Sequence, residues 1–145
     1  MNGEHVFVTD TDHRNSRTEL GRRGETFASN HLRTLGFTTI ARNQRTRYGE
    51  IDLIAFDGTT LVFAEVKTLR SRGAEASRRR PGGSSWELGW PAARQRRRLR
   101  RVALEWLSDR TRPRPVASEL RFDVLKVLVG DNGRPPRVEH VKGAC

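Results

Sequence analysis

The chain has 145 residues, 34% of them hydrophobic and 31% charged, enough apolar material for one α/β or α+β core but not for two. Its formal net charge of +11 favours polyanionic partners, nucleic acid first among them, over basic ones. A single cysteine, Cys145, excludes an internal disulfide framework and a cysteine-based zinc site. "MNGEHVFVTDTDHRNSR" lacks the apolar run of a signal peptide, and no segment is long and apolar enough for a transmembrane span. The expectation is a cytoplasmic protein with no membrane partner.

Residues 1–16 are polar and aperiodic and read as a flexible tail ahead of one domain over 17–142. From Arg17 to Leu35 the residues Leu20, Phe27, Ala28, Leu32 and Leu35 recur at helical spacing, and Gly36 supplies the stop. "FTTIARNQR" predicts a first strand near Thr38–Asn43. "EIDLIAF" and "TLVFAEVKT" predict two more, joined by the turn "DGT". Residues 70–89 are rich in Arg, Gly and Ser and read as a mobile basic loop. Pro91 to Asp109 is a second helix with Leu99, Val102, Ala103, Trp106 and Leu107 on one stripe; "LRFDVLKVLV" is a fourth strand, and "RVEHVKG" is a candidate fifth. The order is α-β-β-β-α-β, with no internal repeat.

The second and third strands carry charge where strand patterning calls for burial. Alternation puts Glu50 and Asp52 on one face of the second strand, and Glu65 and Lys67 on one face of the third. The hairpin register decides whether they meet. A loop of Asp57-Gly58 leaves Glu65 one diagonal step from Asp52. A loop of Gly58-Thr59, or of Asp57 to Thr60, sets the two opposite each other. Either arrangement gathers the three groups within roughly 5–8 Å, whereas a loop of odd length separates them.

Two such carboxylates repel unless one is protonated or a cation lies between them. Oxygen ligands suit a hard divalent ion, Mg²⁺ or Mn²⁺. Lys67 beside them would orient water or stabilise charge on a phosphate; it is one of three lysines among twenty-eight basic residues. Metal-assisted phosphodiester hydrolysis needs these parts. At about 100° per residue, Glu25 lies within roughly 20° of Leu32 on the apolar side of the first helix. Gln95 lies one turn before Leu99, on the packing face of the second.

"GEID" followed by "FAEVKT" resembles the PD-(D/E)xK nuclease superfamily. The wider set "GRRGETFASNHL", "RNQRTRYGEIDLIA", "LVFAEVKT" and "RFDVLKV" is similar to the YraN-like family of bacterial proteins, from about Arg17 to Val129. The resemblance implies an α/β fold with a restriction-endonuclease-like α-β-β-β-α-β core, a mixed central sheet flanked by helices. It implies a Mg²⁺- or Mn²⁺-dependent endonuclease resembling Holliday-junction resolvases, acting on DNA ahead of RNA, with branched or damaged DNA among its substrates and a homodimer as one expectation. It places the metal ligands at Glu25, Asp52 and Glu65 and the catalytic groups at Asp52, Glu65, Lys67 and Gln95. This sequence departs from the pattern with Ile51 before Asp52 and with Gln95 where lysine is common.

A bland reading stands beside each signal. Asp52, Glu65 and Lys67 could form exposed cross-strand ion pairs, which are weak. Arg70, Arg72, Arg78, Arg79, Arg80, Arg94 and Arg97 are candidate phosphate contacts, though such runs often form solvated faces. Trp86 and Trp90 could stack on bases or pack on the second helix. Asp123 is expected to pair with Arg121 or Arg42, and His5, His13, His31 and His140 show no ligand spacing. The rivals to a nuclease are a non-catalytic nucleic-acid-binding module with the same fold, and a basic accessory protein of the ribosome or membrane.

Overall fold

A computed structural model describes residues 10–71, 93–130 and 133–144. Chain order gives α1 (Asp10–Thr34), β1 (Thr38–Thr46), β2 (Gly49–Phe56), β3 (Thr60–Ser71), α2 (Ala93–Ser108), β4 (Glu119–Gly130) and β5 (Arg137–Val141). The expected α/β class and its α-β-β-β-α-β core are present, and "RVEHV" does form a fifth strand. The five strands lie in the order β1-β2-β3-β4-β5. All neighbouring pairs are antiparallel except β3 and β4, which run parallel with α2 between them in sequence.

α1 begins seven residues earlier than the periodicity predicts. The turns from Asp10 to Ser16 contain no apolar residue, so a hydrophobic pattern has nothing there to register. The tail expected over 1–16 is therefore helical from Asp10, and residues 1–9 lie outside the described residues. The helix ends at Gly36, whose φ of 91° suits glycine. There Phe37 N–H donates to Leu32 O at 3.0 Å and Gly36 N–H to Arg33 O at 3.1 Å, the paired bonds of a Schellman cap.

β1 continues past Asn43 to Thr46. Asn43 has φ of 48°, a left-handed conformation that asparagine tolerates, so the residue that reads as a strand end is a kink within a strand. β3 runs on through Arg70 and Ser71, which pair with Val129 and Gly130 of β4; the basic loop expected from residue 70 starts no earlier than residue 72. Most of that loop, with Arg72, Arg78, Arg79, Arg80, Trp86 and Trp90, lies outside the described residues.

Each face of the sheet buries its own cluster. α1 covers Leu53, Ala55, Val62, Ala64, Leu125 and Val127 with Ala28 and Leu32. α2 covers Ile51, Ile54, Leu61 and Phe63 with Val102, Ala103 and Trp106. The Phe63 ring meets Trp106 edge-on at 5.8 Å and stacks with Phe122 at 5.6 Å. Full burial of each large side chain contributes about 1.5–3 kcal/mol. The alternation of β2 breaks at Asp52: Ile51 and Ile54 pack toward α2, Leu53 and Ala55 toward α1. That break positions the site.

Candidate active site

The β2–β3 hairpin adopts the register that sets Asp52 opposite Glu65. Phe56 pairs with Leu61 and Leu53 with Ala64, so the loop is Asp57 to Thr60. Asp57 Oδ1 fixes the turn by accepting the N–H groups of Thr59 at 2.9 Å and Thr60 at 2.7 Å. Gly58, with φ of 102°, completes it.

Strand pairing stops one step before the two acids. Beyond Leu53 and Ala64 the strands fork, with β2 continuing against β1 and β3 against β4. In the fork, Asp52 Oδ2 accepts the main-chain N–H of Val66 at 2.8 Å, occupying the place a strand acceptor would take. On the other side of Asp52 the β1 ladder also skips a step, between Arg42↔Leu53 and Gln44↔Ile51, where Asn43 takes its left-handed turn. Asp52 thus lies between two interrupted ladders.

Burial raises the Asp52 carboxyl to about 6; the Val66 bond pulls it down, and the charges of Glu25, Glu65 and Glu50 push it up again. Three acids besides Asp52 therefore act on one spot. Glu65 is 8% exposed. Its Oε1 meets Lys67 Nζ at 2.9 Å, and its Oε2 is buried with no hydrogen-bond partner. An orphaned buried carboxylate oxygen beside a carboxyl with a raised pKa is the donor environment that a hard cation relieves. Mg²⁺ needs only one or two carboxylates, with waters completing its shell. The residues present fit that ion.

The expected set converges in part. Asp52, Glu65 and Lys67 come together at the fork. Glu25 is half-buried, and its Oε2 accepts from Asn43 Nδ2 at 3.1 Å, so it borders the fork through Asn43. Glu50 pairs with Arg45 at 3.3 Å on the surface. Gln95 is half-buried on the expected face of α2, but no hydrogen bond from it reaches Asp52 or the buried Glu65 oxygen. Among the described residues, no three His, Cys, Asp or Glu side chains form a group that could hold a metal. Arg94 and Arg97 stand exposed on α2, and Arg70 is exposed at the end of β3.

Two positioning residues escaped the sequence. Asn43 links Glu25 to the kink beside Asp52; an asparagine inside a β-rich run is the one signal that marked it. Thr68 faces Gly24 of α1 so closely that a Cβ on Gly24 would lie 1.8 Å from Thr68 Oγ1. Gly24 thereby lets α1, and Glu25 with it, approach β3.

Comparison with known proteins places the chain. The family described as "Uncharacterised protein family UPF0102" matches residues 24–127. A UPF0102 protein of Rhodococcus opacus (strain B4) is 40% identical over 129 residues, covering 86% of this chain and 94% of the relative. One from Acidothermus cellulolyticus is 40% identical over 136 residues, covering 89% and 95%. One from Parafrankia sp. is 45% identical over 125 residues, covering 86% and 94%. The chain belongs to the UPF0102 family.

The UPF0102 match spans Glu25, Asn43, Asp52, Glu65, Lys67 and Gln95, and ends before β5. β5 brings a second buried acid into play, on the α1 side of the sheet. Asp123 pairs with Arg121, as expected, through Nε to Oδ1 at 2.9 Å and Nη2 to Oδ2 at 2.8 Å. It also accepts from Gly143 N–H at 3.0 Å and meets His140 Nε2 at 2.7 Å, and His140 Nδ1 meets His31 Nε2 at 3.2 Å. Burial raises the Asp123 carboxyl, but His140, Arg121 and Gly143 outweigh it and hold it below the usual range. All its oxygens being engaged, Asp123 is a structural anchor for β5. No helix among the described residues is long and apolar enough to cross a membrane.

Proposed function

We propose that this UPF0102 chain is a divalent-metal-dependent nuclease that hydrolyses phosphodiester bonds, with DNA as its first substrate. The observation that carries the reading is the fork itself: Asp52 raised to about 6 beside a Glu65 oxygen that is buried and unpartnered. A chain of net charge +11 has other ways to satisfy two acids, with twenty-five arginines at its disposal, yet the fork holds acids and one lysine.

Asp52 and Glu65 would hold Mg²⁺ or Mn²⁺, with Glu25 adding negative charge from α1. When bound, the ion polarises a phosphoryl oxygen and acidifies water. Lys67 keeps its ammonium at the rim, 39% exposed, where a phosphate can reach it. Glu65 Oε1 fixes that ammonium in place, so its charge is ready before the transition state forms. Asp52 serves only when ionised, a form that a bound cation favours against the burial and neighbouring carboxylates that raise its pKa in the metal-free fork.

A second reading has one observation in its favour. Lys67 already closes on Glu65, and among the described residues no three acids group closely enough to hold a metal, an arrangement that also suits a non-catalytic nucleic-acid-binding module. A cleavage panel of junction, flap, single-stranded and duplex DNA and RNA with Mn²⁺, run beside Lys67→Ala, separates the two. The nuclease reading expects cutting by wild type and its loss in the variant; equal inertness on every substrate would leave the binding module.

A further inference from the structure

The outer face of α2 carries basic residues that the acidic fork does not use. Arg94, Arg97, Arg98 and Arg101 recur at helical spacing, each on the next turn or beside its neighbour, over about 10 Å of axis. Among the described residues, they line a cavity of about 340 Å³ together with Tyr48, from the turn between β1 and β2. Tyr48 and Arg101 also border an adjoining cavity of about 600 Å³, with Leu104, Glu105 and Ser108. Together the two form a groove along the helix, with an aromatic ring at its waist.

That ring is held. Arg47 lies over it at 4.9 Å, and Arg47 is tied to Glu105 of α2 at 3.4 Å. The main chain of Tyr48 donates to Thr46 Oγ1 at 3.1 Å, which itself donates to Gly49 O at 3.2 Å. Gly49, at φ of 137°, closes the turn, with the Arg98 side chain 3.5 Å from where its Cβ would stand. Tyr48 nevertheless stays 39% exposed, and Leu104 beside it 65%. A solvated arginine face needs no fixed aromatic residue, whereas stacking on a base does.

We propose that this groove binds single-stranded nucleic acid, with one base stacked on Tyr48 and the flanking phosphates on Arg94, Arg97, Arg98 and Arg101. A single strand is the class that fits because its base faces are open to stack, whereas in a duplex neighbouring pairs cover them. The groove deepens the nuclease reading by naming its substrate class, and rests on that reading only for the fate of the bound strand. Binding itself needs neither Asp52 nor a cation, so the two can fail separately.

The test is fluorescence anisotropy in EDTA with a labelled oligothymidylate, competed by its duplex with oligoadenylate and by inorganic polyphosphate. The expected order is single strand tightest, then duplex, then polyphosphate. Tyr48→Ala should weaken the single strand roughly 5- to 100-fold and leave polyphosphate unchanged, while Tyr48→Phe binds as wild type. Arg97→Ala and Arg101→Ala should each flatten the salt dependence, by about 0.7 in the logarithmic slope. Ultraviolet cross-linking of the strand to wild type, mapped by peptide mass spectrometry, should mark Tyr48, and this needs no variant to fold. Equal affinity for strand and duplex, an unaffected Tyr48→Ala, or cross-links only outside the groove would overturn the proposal. Strand binding in EDTA by a protein that cleaves no substrate when Mn²⁺ is supplied would refute the nuclease reading and keep the groove.

Discussion

Asp52 bonds through its carboxylate to the main-chain N–H of Val66 at the point where β2 and β3 part, 2.8 Å away. A side chain there does the work of a strand. The exchange leaves an ionisable group between two interrupted ladders, with Glu25, Glu50 and Glu65 raising its pKa.

Ionised Asp52 should therefore cost stability when no cation is present. Its folded pKa of about 6 exceeds the 3.8 of an unperturbed aspartate, so the folded state binds more protons between those values. Stability from this group falls as pH rises from about 4 through 6, by up to about 3 kcal/mol. Asp52→Asn should be more stable than wild type at pH 7 in EDTA, and the gap should close toward pH 4. Urea unfolding across that range measures it.

Asp123 has the opposite sign. Its folded pKa lies below the unfolded value, so its contribution is present above about pH 4 and fades as pH falls further. Asp123→Ala leaves Arg121 and the buried His140 without their acceptor and should cost about 3–5 kcal/mol at pH 7. The loss should shrink in acid, as followed by thermal unfolding.

Removing Lys67 takes away the partner of Glu65 Oε1 while Oε2 already lacks one. Lys67→Ala should lose about 1–3 kcal/mol in EDTA. Mn²⁺ should restore more stability to this variant than to wild type, because the ion would take up the freed oxygen. Denaturant titrations with and without Mn²⁺ compare the two.

Gly24→Ala should separate α1 from β3. The new methyl would lie 1.8 Å from Thr68 Oγ1 and 2.8 Å from Thr68 Cβ, too close for a rotamer change to resolve. About 1–3 kcal/mol of overpacking is expected, relieved in part by Thr68→Ala. A double-mutant cycle on unfolding free energies gives the coupling.

Element types were legible because they are local. The hairpin register was not, since the sequence allowed three loops and only the strand pairing selects Asp57 to Thr60. Alternation also misplaced Ile51, which packs with Ile54. The fork was not legible either, because it arises where β2 parts from β3 and keeps only β1 as its partner, a tertiary event that no local pattern encodes. Helical phase gave the side of α2 on which Gln95 lies, but phase reports direction and not reach. His31 and His140 are 109 residues apart and meet only once β5 docks on β4, so their spacing carried no signal. Tyr48 was hidden for another reason: one tyrosine in a turn means little until α2 lays four arginines beside it.

The most direct test of the fork is calorimetric titration of Mn²⁺ into wild type and Asp52→Asn at pH 7. One saturable site in wild type, absent from the variant, is the predicted result. No binding to wild type, or the same isotherm for both proteins, would contradict a cation site at Asp52 and Glu65.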